Sequence, residues 1–388
     1  MKALIAPAVF DGTALLGPRA VLVQDGLVTD IVRITDLPAG VQTSQLQHGH
    51  ILAPGFVDLQ VNGGGGVMFN DGPDVDTLRV IAEAHAKLGT TSILPTLISS
   101  DRPTRLAAIA AARAAITQGI PGIAGLHLEG PFLAMARRGI HPAAAIALPT
   151  KADIADLAAP FEGPILLTLA PEMVFPAVIA AWVAAGRFVF AGHTDADFDE
   201  AEAGFDAGIV GTTHLFNAMS QLGARTPGMV GAAMMRGVAG IIVDLLHVHP
   251  ASVALAWRCM GPERLFLVSD AMATVGSSRD AVMLGGKSIR LVDGRLADAD
   301  GTLAGAHLSM ADAVRLAVSV GVPLADALRM ATRTPADAVG LFDRGRIERG
   351  SRADFVELDT ELRVRRVWFG GGALECAPPD NCQIRSTG

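Results

Sequence analysis

Between about residues 53 and 343 the chain repeats one pattern eight times: a short apolar run of strand length, then an alanine-rich stretch of helical length. The apolar runs are 55–61, 91–97, 123–129, 165–170, 188–193, 211–214, 240–246 and 265–270. Strand, helix, strand leaves the two strands parallel, because only a long crossover brings the chain back to start again at the same edge. Residues 199–208 show this clearly, a helical stretch with a Gly stop between two such runs. Eight units predict a closed (β/α)8 barrel of the TIM type rather than an open doubly wound sheet. Gly63-Gly-Gly-Gly66 lacks the Gly-Lys-Ser/Thr of a phosphate loop and reads as a turn after the first strand.

The two ends of the chain carry a different pattern. Residues 1–52 and 344–388 read as short strands, with Asp25-Gly26 as a hairpin turn. Neither piece can close a core alone. Together they predict a small β-sandwich domain, 1–52 plus 344–388, beside a barrel domain of 53–343. Asp293-Gly294 and Asp300-Gly301 predict a β-hairpin insertion at 284–305, after the eighth strand.

A formal charge of −8 argues against a nucleic-acid surface, and an anionic small-molecule substrate would need a local basic pocket. No apolar run approaches the roughly 20 residues of a membrane span. The richest, 177–185, stops at Gly186-Arg187 and reads as a buried helix. Pro7 and Asp11 interrupt the N-terminus where a signal peptide needs an apolar run. Cys259, Cys376 and Cys382 form no disulfide framework or zinc-finger spacing. Cys376 and Cys382 could pair, although free thiols in a reducing cytoplasm are the simpler reading. The expected location is therefore cytoplasmic.

Chemistry concentrates at the strand ends. His193 and His214 close consecutive parallel strands, so both lie at the C-terminal mouth where such barrels place their active sites. Either histidine alone is more often a hydrogen-bonded core or loop residue. Glu129 closes the third strand in Leu-His-Leu-Glu-Gly-Pro, and a carboxylate ending an apolar strand is costly unless paired or bound to a metal. Glu129, His193 and His214 make a ligand set with a position left for water, as a catalytic zinc site requires. His127, two residues before Glu129, reads as a supporting or core histidine. Asp270 ends the eighth strand. Such an aspartate is usually a helix cap, but across the mouth from a metal it can take a proton from water and pass it to a leaving amine. On the first strand Gln60 and Asn62 stand where many barrel hydrolases carry His-x-His. Neutral amides are weak zinc ligands, and no bridging lysine follows the fourth strand, so one metal is expected rather than two.

Seven strings in order support a resemblance: 54–63, 94–97, 126–131, 169–173, 191–193, 213–219 and 268–271. Together they resemble the amidohydrolase superfamily, and within it the N-acetylglucosamine-6-phosphate deacetylases. The resemblance implies release of acetate from N-acetyl-D-glucosamine 6-phosphate in amino-sugar recycling, one divalent metal per subunit (zinc first, iron or another ion as alternatives) and a homodimer. It implies Glu129, His193 and His214 as metal ligands, Asp270 as acid/base and His141 as the group polarising the acetamide carbonyl. It further implies substrate contacts at Asn217, Ala218, Asp244, His247, Leu303, Ala304, Gly305 and Ala306, with Arg225 offered to the phosphate of the neighbouring subunit's site. Two departures stand out. Leu245 occupies the place of a glycine in Asp-Gly-Leu-His, and Ala306 and His307 replace small hydroxyl residues. The alternatives are another amino-sugar phosphate such as N-acetylgalactosamine 6-phosphate, another amide substrate, or a catalytically silent binding protein on the same barrel.

Overall fold

Eight parallel strands follow one another in chain order around the centre of the protein, a computed structural model that describes residues 1–284 and 286–374. They are β1 (Phe56–Val61), β2 (Thr90–Ile98), β3 (Leu126–Glu129), β4 (Ile165–Leu169), β5 (Phe188–Ala191), β6 (Gly211–Thr212), β7 (Val238–Ile242) and β8 (Leu265–Val268). All but two of their residues, Phe188 and Val238, are buried, which is why they read as unbroken apolar runs. The ladder is continuous from β1 to β8. The seam between those two is closed by a single Val61–Ala271 bridge and by side chains. Asp58 Oδ1 accepts the Ser269 N–H at 3.2 Å, and Ser269 Oγ donates to the Gln60 carbonyl at 3.4 Å. This is the expected (β/α)8 barrel.

Helices α1 (Val75–Ala86), α2 (Arg102–Thr117), α3 (Lys151–Ala158), α4 (Pro176–Ala184), α5 (Phe198–Asp206), α6 (Gly228–Arg236), α7 (Pro250–Met260) and α8 (Met310–Ser319) connect the strands or follow the last. Their local chemistry is explicit. Asp101 caps α2 by accepting from Thr104 N–H, and Ala108, Ala111, Ala112 and Ala115 form its buried stripe at helical spacing. Asp197 and Glu200 close a capping box on α5. The run expected as a buried helix is α4, but only Ile179 and Trp182 are buried and Phe175 before it is 80 % exposed. Its small alanines let one face pack while the other stays wet.

Strands from the two chain ends lie together. Ile51–Pro54 pairs antiparallel with Phe355–Leu358, in a six-stranded sheet holding Ala8–Phe10 and Val364–Phe369. A four-stranded sheet of Lys2–Ala6, Arg19–Gln24, Leu27–Val32 and Gln42–Gln45 faces it across a core that includes Leu4, Val21, Leu52, Phe355 and Trp368. Asp25 and Gly26 have φ of 51° and 80°, as a two-residue hairpin turn requires. Three antiparallel strands stand here, Ala281–Leu284, Lys287–Val292 and Arg295–Ala297; the last two lie within the segment expected as a hairpin, and the first begins ahead of it. Asp293-Gly294 makes the turn between those last two, at φ 50° and 79°. Cys259 is free and exposed, and Cys376 and Cys382 lie outside the described residues. No helix among the described residues is long and apolar enough to cross a membrane.

Candidate metal centre and active site

The C-terminal ends of β3, β5, β6 and β8 deliver Glu129, His193, His214 and Asp270 to one cavity of about 420 Å³. Glu129 Oε1 lies 3.1 Å from His193 Nε2 and 3.0 Å from His214 Nε2, and the two Nε2 atoms are 3.0 Å apart. All three residues are buried. His193 donates its Nδ1–H to the Arg137 carbonyl at 2.8 Å, so a neutral ring turns the Nε2 lone pair towards Glu129. Lone pairs converging on a buried carboxylate repel unless a cation lies among them, so this donor set fits a divalent metal. Burial alone would raise the Glu129 pKa. Where the two rings instead carry protons on Nε2, the His193 and His214 bonds outweigh burial and hold the carboxyl well below its ordinary range.

His193, His214 and Asp270 have φ of 50°, 34° and 50°. Residues other than glycine rarely enter this left-handed region, and strain of this kind gathers at functional sites. Each turn bends the chain as it leaves its strand and aims the side chain into the mouth.

The two amides at the end of β1 fasten the acids. Gln60 Nε2 donates to Glu129 Oε1 at 3.1 Å, and Asn62 Nδ2 donates to Asp270 Oδ1 at 2.6 Å. Their sequence signal was negative, the lack of His-x-His, and gave no hint of this task. Burial, and next to it the negative charge of Glu129, push Asp270 up to about 6.

His141 arrives on the loop after β3, its Nε2 4.0 Å from Glu129 Oε2. Its Nδ1 accepts the Ser99 backbone N–H at 3.2 Å, and Ser99 Oγ lies 2.7 Å from the same nitrogen. A backbone N–H can only donate, so a neutral ring carries its proton on Nε2, facing the metal site. Burial, with His193 nearby, pushes His141 down to about 3, so the ring is neutral at pH 7. His127 stays outside the ligand set, bonded to Thr96 and Thr168.

The expected substrate contacts divide. Asn217, Ala218, His247, Leu303 and Gly305 line the cavity. Asp244 stands behind His247, holding its Nδ1 at 2.6 Å. Leu245 keeps φ 61° in that turn, where the expected glycine would sit without strain. Ala304 and Ala306 are buried in apolar packing, and His307 Nδ1 lies 2.9 Å from Thr274 Oγ1. Arg225 is exposed and is not part of its own chain's cavity wall. The wall also includes Met68, Ile98, Ile140, Met272 and Leu284, with Arg137 at the β3 loop. None of these carried a sequence signal, since apolar residues beside a site read as ordinary core.

The amidohydrolase family model matches residues 51–374. The chain belongs to the amidohydrolase family. Among curated members it is 42 % identical over 362 residues to N-acetylgalactosamine-6-phosphate deacetylase of Shewanella sp. (strain ANA-3), covering 92 % of this chain and 91 % of that one. It is 35 % identical over 370 residues to N-acetylglucosamine-6-phosphate deacetylase of Haemophilus influenzae, covering 93 % and 96 %. The crystal structure of N-acetylglucosamine-6-phosphate deacetylase from Pasteurella multocida superposes with a TM-score of 0.92 at 34 % identity, over 96 % of this chain and 99 % of that one. Amidohydrolases are metal-dependent, and the Glu129–His193–His214 cluster is a group that could hold the ion.

Proposed function

We propose that this amidohydrolase removes acetate from an N-acetylated amino-sugar phosphate, N-acetyl-D-glucosamine 6-phosphate foremost, giving glucosamine 6-phosphate. The observation that carries the reading is the meeting of Glu129, His193, His214, Asp270 and His141 in one cavity. A divalent ion held by Glu129, His193 and His214 would supply Lewis acidity towards water and a carbonyl oxygen. We take it to be zinc, with iron or another divalent ion as the alternative.

Asp270 has one oxygen fixed by Asn62. We assign the other, Oδ2, to accept a proton from the attacking water and deliver it to the departing amine. His141 directs an N–H at the developing oxyanion, a task neutral imidazole performs without losing its proton. Asn217, Ala218 and His247 would hold the sugar and its phosphate, with Asp244 fixing the His247 ring and Leu303 and Gly305 closing the wall. The assembly would be a homodimer in the cytoplasm, Arg225 reaching the partner's phosphate. We assign the chemistry to residues 53–343 and a supporting β domain to 1–52 with the segment from 344 onwards.

The Shewanella relative favours a second reading, the 4-epimeric N-acetylgalactosamine 6-phosphate. Metal analysis of the purified protein beside acetate release from both sugars decides between them. Bound metal with acetate release supports the function. A metal-loaded protein that releases acetate from neither sugar overturns it.

A further inference from the structure

In a chain of net charge −8, the cations at the cavity rim govern whether a dianionic sugar enters. Arg137 lines the same cavity as Asn217 and Ala218. Its Nε donates to Asp195 Oδ1 at 2.8 Å, which leaves both terminal nitrogens outside that bond. Asp195 follows Thr194, whose N–H donates to the Ala218 carbonyl at 3.1 Å. The guanidinium is therefore tethered beside the turn that carries Asn217 and Ala218. The tether is weak, since the two side chains are 38 % and 51 % exposed and such pairs contribute little. The main chain beneath is held separately, because the Arg137 carbonyl accepts the His193 Nδ1–H.

We propose that Arg137 is a same-chain arginine for the sugar phosphate, passed from Asp195 to the phosphate when the substrate enters. This rests on the deacetylase reading above and assigns that site's specificity for a phosphorylated sugar. A phosphate carries more charge than the Asp195 carboxylate and matches the guanidinium fork with two parallel hydrogen bonds. A sugar without phosphate has nothing to draw the arginine away. The Asp195 pair thus keeps the side chain in place while the pocket is empty, and selection falls on the phosphate.

The test measures kcat and KM of the metal-loaded protein for N-acetylglucosamine 6-phosphate and for unphosphorylated N-acetylglucosamine, in wild type, R137A, R137K and D195N. The expected result is that R137A raises KM for the phosphorylated sugar at least tenfold, with kcat changed less than threefold. The preference for the phosphorylated sugar should shrink by a similar factor. R137K should recover part of the loss because it keeps the charge, and D195N should leave that KM equal or lower. Inorganic phosphate should inhibit R137A more weakly than wild type. Parallel losses of kcat on both sugars in R137A and D195N would make the pair a structural latch and overturn the proposal. An unchanged KM in R137A overturns it as well, and wild-type turnover would still stand for the deacetylase. Wild type inactive on both sugars removes the deacetylase reading and this inference with it.

Discussion

Replacing Asp58 by asparagine isolates one buried proton. Asp58 is fully buried at the β1–β8 seam, where Oδ1 accepts the Gln60 and Ser269 N–H groups and Oδ2 has no hydrogen-bond partner. Burial, only partly offset by the Ser269 and Gln60 bonds, pushes its carboxyl from 3.8 up to about 7. At about 1.4 kcal/mol per pH unit, that gap amounts to about 4 kcal/mol. The unfolded chain releases this proton near 3.8 and the folded one near 7, so the folded state holds more protons between those values. Stability from Asp58 is fully present below pH 3.8 and is lost as pH rises to about 7. The D58N variant cannot ionise there and keeps a donor at the Oδ2 position, as the protonated acid does. Urea unfolding of both proteins from pH 4 to 8 cancels every other titration in the difference. The variant should match wild type near pH 4, gain about 1.4 kcal/mol per unit above it, and level off about 4 kcal/mol ahead beyond pH 7. A difference that does not change with pH would refute a neutral Asp58.

D270N should keep its metal and fold while kcat falls by roughly 10²–10⁴, the usual worth of a positioned general base; near-normal turnover in a metal-loaded variant removes the assignment. Q60A strips Glu129 of an orienting donor and should weaken metal binding by about 10–100-fold in a chelator competition. Unchanged affinity would reduce Gln60 to a packing residue. Dialysis against a strong chelator should abolish turnover and lower the melting temperature. Restoring ion at a thousandfold above its dissociation constant should return about 4 kcal/mol, and full activity in the stripped protein would end the metal assignment.

The barrel was legible because both faces of its strands are covered, so each strand appears as an apolar run ahead of an alanine-striped helix. Glu129, His193, His214 and Asp270 were legible because a polar group ending such a run is conspicuous. His141 was not, since eleven residues separate it from Glu129 and nothing in that loop declares where it returns. Only the resemblance pointed to it. Gln60 and Asn62 were read for the metal they fail to bind, because sequence spacing cannot show that an amide on one strand grips an acid on another. The first strand of the insertion, Ala281–Leu284, is not legible in this way, because it lies ahead of both Asp-Gly turns and outside the stretch they bound.

His193, His214 and Asp270 each occupy backbone where glycine or asparagine would rest more easily. A lineage released from cutting amides would therefore meet little resistance to losing them, and its barrel would grow sturdier as its catalytic ability faded. The three turns thus hold back stability that a glycine at each would release, in return for side chains that reach the mouth of the barrel.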